Sequence, residues 1–413
     1  MIVLSGAALV LPDRILAPGT IIVEDGRIAE IRPDAPATHS LFAGHYIVPG
    51  FIDVHVHGVG GVDSLDDTPD AVQTIAERLP RYGVTAFCPT TVACAPDALR
   101  RVLDQVRRAR VSPSPQAARV LPAHLESNFI SPEYAGAQPI ECLRAPGAGR
   151  AGGAGEDPRS ATALAKRSGD FSADDILCEI DRAAPDVGIV TMAPEIPGGL
   201  DLVRRLAGRG HRVSLGHSAA TYEQAIEAIA AGASQATHLF NRMPPLHHRA
   251  PGLAGAALQA DELATEIICD GVHVHAGLIR AAISAKRPPR VLAITDATAA
   301  SGLPAGSRAT LGGRPIVAAG TTALLEDGTI AGSVLTMDRA FQVLTGQVGL
   351  SLVDAVTVCA TTPARELGLV GHGVLAVDAV ADLVVLDPNF GVIQTYIAGQ
   401  LAYTRNTLAP SNV

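Results

Sequence analysis

Pro49-Gly50-Phe51-Ile52-Asp53-Val54-His55-Val56-His57-Gly58 is the stretch on which the reading of this chain turns. Its alternating apolar character reads as a strand, so His55 and His57, two residues apart, project from one face. Two imidazoles at the C-terminal mouth of a buried strand can hold a metal ion between them, and Gly58 lets the chain turn away at once. A His-x-His pair alone is weak evidence. It gains weight because β-runs ending in ligand-type residues recur down the chain.

Residues 84–91 are β-branched and apolar and end in the hydroxyls of Thr90 and Thr91. Residues 119–126 end in Glu126 and residues 187–195 in Glu195, while 211–217 and 233–238 end in His217 and His238. Residues 266–273 close on His273 and residues 291–296 on Asp296. Helix-like segments at 69–82, 97–110, 200–208, 222–232 and 276–286 separate most of these runs. Strands alternating with helices predict an α/β protein with a parallel sheet, and eight units predict a closed (β/α)8 TIM-type barrel. In such a barrel the residues at the strand C-termini converge on one site.

The chain ends differ in style. Short β-like pieces with turn signals occupy residues 1–48 and again 375–413. Neither end makes a stable sheet alone, so together they are expected to form a small β-sandwich domain flanking a barrel over 49–374. A Gly/Ala-rich segment near 145–172 reads as a flexible insertion, with a lid over the ligand-bearing mouth as its functional alternative.

Composition sets bounds. The 413 residues are 47% hydrophobic with no Trp and 3% aromatics, so the core must rest on Val, Leu, Ile and Ala. A formal net charge of −9 argues against a general nucleic-acid surface. No apolar run approaches the ~18 residues of a membrane span. The start, Met1-Ile2-Val3-Leu4-Ser5, lacks the basic region of a secretory signal. Six cysteines without a Cys-x-x-Cys pair suggest neither a disulfide framework nor a cysteine zinc site. A cytoplasmic enzyme is the expectation.

Glu126, His217 and His238 offer one carboxylate and two imidazoles, a common set for a catalytic divalent ion with open positions. His55 and His57 can complete a second metal site. Asp296, ending the last strand, is placed to be a metal ligand, a general base, or both. Each histidine alone reads as easily as a capped loop residue; the set does not.

These residues resemble the amidohydrolase superfamily and, within it, the N-acetylglucosamine-6-phosphate deacetylases. The resemblance rests on the opening stretch, His124-Leu125-Glu126, Ala193-Pro194-Glu195, Gly216-His217-Ser218 and 236–241. It continues through Arg249-Ala250-Pro251-Gly252, Asp270-Gly271-Val272-His273, Thr295-Asp296-Ala297-Thr298 and Ala331-Gly332-Ser333. It implies metal ligation by Glu126, His217 and His238, with one or two divalent ions (zinc, iron or manganese), and Asp296 as the catalytic acid/base. It implies that Ala137, Gln138, Asn241, Arg249, His273 and the turn Ile330-Ala331-Gly332 hold an amino-sugar phosphate, and that the enzyme is a homodimer. Arg242, where the family often has a small residue, is counted with the substrate pocket.

The chain also departs from the family in reading Ser127-Asn128 after Glu126, where Gly-Pro is usual, and this puts the exact N-acyl substrate in question. N-acetylgalactosamine-6-phosphate is the nearest alternative. A cyclic amidohydrolase is disfavoured because such enzymes resemble this one but carry a bridging lysine, and no lysine sits at a predicted strand end here. A scaffold that kept the fold and lost catalysis is expected to have lost ligands, and the set is intact.

Overall fold

The computed structural model describes residues 1–34, 42–146 and 171–405. Eight parallel strands follow one another in chain order around a barrel: Phe51–Val56, Val84–Thr91, Ala123–Glu126, Val187–Met192, Arg212–Leu215, Ala233–Ala236, Ala264–Ile268 and Val291–Ile294. The barrel closes just past the last strand, where the Asp296 N–H donates to the His55 carbonyl at 3.0 Å and the His57 N–H to the Ala297 carbonyl at 2.8 Å. The first two strands are buried along their whole length, as strands covered on both faces must be. Pro122, which has no N–H to donate, splits the expected third strand into Arg119–Val120 and Ala123–Glu126.

Helices Ala71–Arg78, Pro96–Val111, Ala173–Arg182, Gly199–Gly208, Tyr222–Ala230, Gly252–Gln259 and Ala276–Lys286 fill the outer ring. Two of these starts are chemically marked: Ser172 closes a capping box with Asp175, and Thr221 one with Gln224. The core between ring and barrel is mainly Val, Leu, Ile and Ala, with Phe51, Phe87, Phe129 and Phe341 as its bulkiest fully buried apolar members.

Both chain ends meet in one seven-stranded sheet, ordered Gln400–Thr404, Val392–Ile397, Leu383–Leu386, Tyr46–Pro49, Ile2–Val10, Ile15–Glu24 and Arg27–Pro33. Tyr46–Pro49 runs antiparallel to Leu383–Leu386 and parallel to Ile2–Val10, so it joins the two ends. The sheet has its own apolar core around Leu9, Ile21, Ile28, Ile47, Leu383 and Val385. Gly50 links this sheet to the barrel at a position where a Cβ would lie 2.1 Å from the Thr85 hydroxyl, so only glycine fits.

One unit is absent from the sequence reading. After the last barrel strand the chain makes a four-stranded antiparallel sheet, Arg308–Leu311, Arg314–Ala319, Thr322–Leu325 and Ile330–Ser333. It packs through Leu311, Ile316 and Ala331 onto Val92 and Ala300, over the C-terminal mouth of the barrel. The segment 330–332, read from sequence as a turn, is therefore strand. The Gly/Ala-rich insertion lies for most of its length outside the described residues, and with it the expectation of a lid. Among the described residues no helix is long and apolar enough to cross a membrane.

Candidate active site

A cavity of about 410 Å³ opens at the strand C-termini, lined by His57, Glu126, Gln138, His217, His238, Asn241, Arg242, His273 and Asp296 among others. Glu126 ends its strand; His217, His238 and Asp296 each sit two residues beyond theirs. The last three adopt left-handed backbone conformations (φ 47°, 29° and 50°) that side chains bearing a Cβ rarely take. Such strain persists only where the surroundings enforce it, and here it aims all three groups into the cavity.

The donor atoms converge. His217 Nε2 and His238 Nε2 each lie 3.0 Å from Glu126 Oε1, and 3.0 Å from one another. Ligands held ~2.1 Å from one ion are separated by about 3 to 3.4 Å, so this spacing suits a single metal. A second group shares the same carboxylate: His57 Nε2 is 3.5 Å from Glu126 Oε2, His55 Nε2 is 3.3 Å from His57 Nε2, and Asp296 Oδ1 stands 3.2 Å from His57 Nε2. The residues predicted as ligands thus form two buried clusters, each able to hold a metal ion, joined through Glu126.

Hydrogen bonding fixes the ligating nitrogen in two of the four histidines. His217 Nδ1–H donates to the Tyr134 carbonyl at 2.8 Å, which leaves the Nε2 lone pair facing the cavity. His55 Nδ1 faces Glu266 Oε2 at 3.0 Å, with the same consequence for its Nε2. Lone pairs brought this close repel unless a cation lies among them, so the donor set fits a divalent ion. The electrostatics point the same way. Burial would lower His55, but the carboxylates of Asp296, Glu266 and Glu126 push it up to about 10, so this cluster draws positive charge to Nε2, a proton or a metal ion in its place. Burial would raise Glu126, yet His217, His238 and His55 hold it well below the usual carboxylate range. Burial opposes Asp296 likewise, and His55 and His57 keep it low and therefore anionic.

The remaining predicted residues divide. Gln138 donates to Glu126 Oε2 and accepts the Ala93 N–H at 2.7 Å, so it braces the shared carboxylate as well as lining the cavity. Ala137 lines the cavity and its carbonyl accepts from Arg314 at 2.8 Å. Asn241 donates back to the His238 carbonyl at 3.2 Å, holding the ligand's turn. His273 Nδ1 bonds Asp270 Oδ2 at 2.6 Å, while its buried Nε2 has no hydrogen-bond partner among the described residues. Burial would lower this imidazole, but Asp270 raises it. Ile330 and Gly332 line the cavity, whereas Ala331 turns into the core of the inserted sheet.

Three residues stand away from the cavity of this chain. Arg249 is exposed on the 245–250 loop, its backbone N–H bonded to His247, and does not line the cavity of its own chain. Ser127 and Asn128 do not shape the pocket: Ser127 donates to the Thr191 carbonyl at 2.6 Å, and Asn128 to the carbonyls of Cys94 and Cys142 at 2.8 and 2.7 Å. Both side chains serve the backbone beneath the cavity. Arg242, by contrast, lines it, lies over Gly136 and donates to the Ile330 carbonyl at 3.4 Å. A Cβ at Gly136 would meet Arg242 Nε at 2.4 Å. Sequence reasoning missed Glu266, a fully buried carboxylate on the seventh strand that touches His55.

A parallel barrel that gathers imidazoles and carboxylates at its strand ends, with an anionic aspartate beside them, defines the class of metal-dependent hydrolases. Residues 46–402 match the Amidohydrolase family. N-acetylglucosamine-6-phosphate deacetylase of Bacillus subtilis is 32% identical over 404 residues, 96% of each chain. N-acetylgalactosamine-6-phosphate deacetylase of Escherichia coli O157:H7 is 34% identical, covering 92% of this chain and 93% of its own. The N-acetyl-D-glucosamine-6-phosphate deacetylase mutant of Mycobacterium smegmatis, solved with N-acetyl-D-glucosamine-6-phosphate, superposes with a TM-score of 0.84 at 31% identity over 98% of this chain and 99% of its own. The chain belongs to the amidohydrolase family and, within it, to the branch of these deacetylases.

Proposed function

We propose that the protein hydrolyses the acetamide of N-acetylglucosamine-6-phosphate to glucosamine-6-phosphate and acetate. The observation that carries this reading is one cavity combining the paired donor clusters, the anionic Asp296 and a guanidinium at the rim. A divalent ion at Glu126, His217 and His238, with a second at His55 and His57, supplies polarisation of the acetamide carbonyl and acidification of water; zinc, iron and manganese all suit these donors. Asp296 takes the proton of the attacking water and returns it to the nitrogen as the carbon–nitrogen bond breaks. Arg242 grips the phosphate through charge-assisted hydrogen bonds, with Asn241 and His273 on the sugar, and so fixes the acetamide at Asp296.

Arg249 completes the phosphate site of a second copy in a homodimer, which accounts for its place outside its own cavity. A phosphorylated sugar substrate fits a cytoplasmic enzyme. The test is acetate release from N-acetylglucosamine-6-phosphate, its galactosamine epimer and unphosphorylated N-acetylglucosamine. Turnover that requires the 6-phosphate and stops with chelator supports the reading. Preference for the epimer moves the assignment to the galacto series, and no turnover on any of the three refutes it.

A further inference from the structure

Glu266 has no part in the reaction just outlined, yet it is fully buried at the centre of the barrel and both its oxygens are engaged. Oε2 lies 3.0 Å from His55 Nδ1 and accepts the backbone N–H of His238 at 3.3 Å. Oε1 accepts the Gln235 amide at 2.6 Å and has His124 Nδ1 at 3.8 Å. Among the described residues no Lys or Arg pairs with it. Isolated carboxylates are not kept in a barrel interior without compensation, so its retention there calls for a role.

The two contacts of Oε2 reach different clusters. Through a side chain it holds His55, which belongs with His57 and Glu126; through a backbone N–H it holds the left-handed turn of His238, which belongs with His217 and Glu126. We propose that Glu266 is a positioning residue that assembles both clusters for metal binding. It fixes His55 with its proton on Nδ1, so that Nε2 is the ligating atom, and it locks the turn that aims His238. The inference rests on reading the site as a metal centre.

The test measures metal rather than turnover. Glu266→Gln preserves the shape but replaces an acceptor oxygen with an amide donor; Glu266→Asp preserves the charge but shortens the reach. Zinc affinity is read by competition with a chromophoric chelator, and ions per chain by elemental analysis. Both variants are expected to bind zinc about 10- to 100-fold more weakly, the usual effect of removing such a supporting group. Stoichiometry should fall first at the His55–His57 cluster. Lower thermal stability with unchanged zinc affinity and stoichiometry would make Glu266 merely structural and overturn the proposal.

Should neither variant fold, 15N-histidine NMR of the zinc-loaded parent protein decides the point. A proton on Nδ1 of His55 is expected, and one on Nε2 overturns the proposal. A parent protein that binds no divalent ion would instead sink the functional reading itself, so the two failures are distinguishable.

Discussion

Replacing Arg242 with glutamine should separate recognition of the phosphate from the chemistry. The guanidinium stands at the rim of the cavity, half-buried, held by packing over Gly136 and one bond to the Ile330 carbonyl, and no carboxylate forms an ion pair with it among the described residues. Its charge is therefore available to an anionic ligand. A charge-assisted hydrogen bond contributes about 1.5–3 kcal/mol. At ~1.4 kcal/mol per decade, its loss predicts a fall in kcat/KM of about 10- to 150-fold on the 6-phosphate substrate. Unphosphorylated N-acetylglucosamine, which cannot use the interaction, should lose far less. Acetate release from both sugars, each with parent and variant, supplies the comparison. Gly136→Ala offers a second approach, since its new methyl would push the guanidinium aside, and it should act in the same direction. Equal losses on the two sugars would refute the argument, because they would mean that Arg242 supports the fold of the mouth rather than the phosphate.

Asp296→Asn keeps the shape but cannot accept a proton, so turnover should drop by about 10²- to 10⁴-fold while zinc stays bound at Glu126, His217 and His238; near-normal turnover would remove Asp296 from its proton role. Ser127→Ala deletes the bond to the Thr191 carbonyl and should cost about 1 kcal/mol in denaturant unfolding, with the ratio of gluco to galacto turnover unchanged. Lys286, buried with its ammonium on the Ala260 carbonyl, is pushed down by burial to about 8 from its ordinary 10.5. The unfolded chain then holds that proton more tightly than the folded one, so stability at this site rises as pH climbs from about 8 towards 10.5. The stability difference between the parent and Lys286→Met should accordingly shift in the parent's favour between pH 7 and pH 10, and a pH-independent difference would contradict the assigned shift.

The barrel was legible because its signal repeats: each β-run carries its ligand-type residue at the same end, and the fold turns that repetition into convergence. His55, His57, Glu126, His217, His238 and Asp296 came together for this reason. Glu266 escaped because the seventh strand was read as 266–273, placing the glutamate at the far entrance; the strand runs Ala264–Ile268 and Glu266 sits mid-strand, facing inward. The four-stranded insert escaped because its short strands lack the repeated ligand-type end and the intervening helices that marked the barrel, although its turns at Gly312-Gly313 and Asp327-Gly328 were visible signals. Ser127 and Asn128 show the limit of position as evidence. Ser127 leaves the strand on the side opposite Glu126, whereas Asn128 lies beyond the strand end, where alternation no longer holds, and turns to the carbonyls of Cys94 and Cys142.

The seven-stranded sheet bears on how this chain comes to exist at all. Tyr46–Pro49 is paired on one side by Ile2–Val10 and on the other by Leu383–Leu386, from the opposite end of the chain. During synthesis the N-terminal strands emerge first and wait with one row of backbone N–H and C=O groups uncovered. The row is closed only when almost the whole polypeptide has left the ribosome, a pairing of very high sequence separation and correspondingly slow to form. Any product that terminates early, before residue 383, carries that open edge permanently, and is a substrate for aggregation or proteolysis rather than a smaller enzyme.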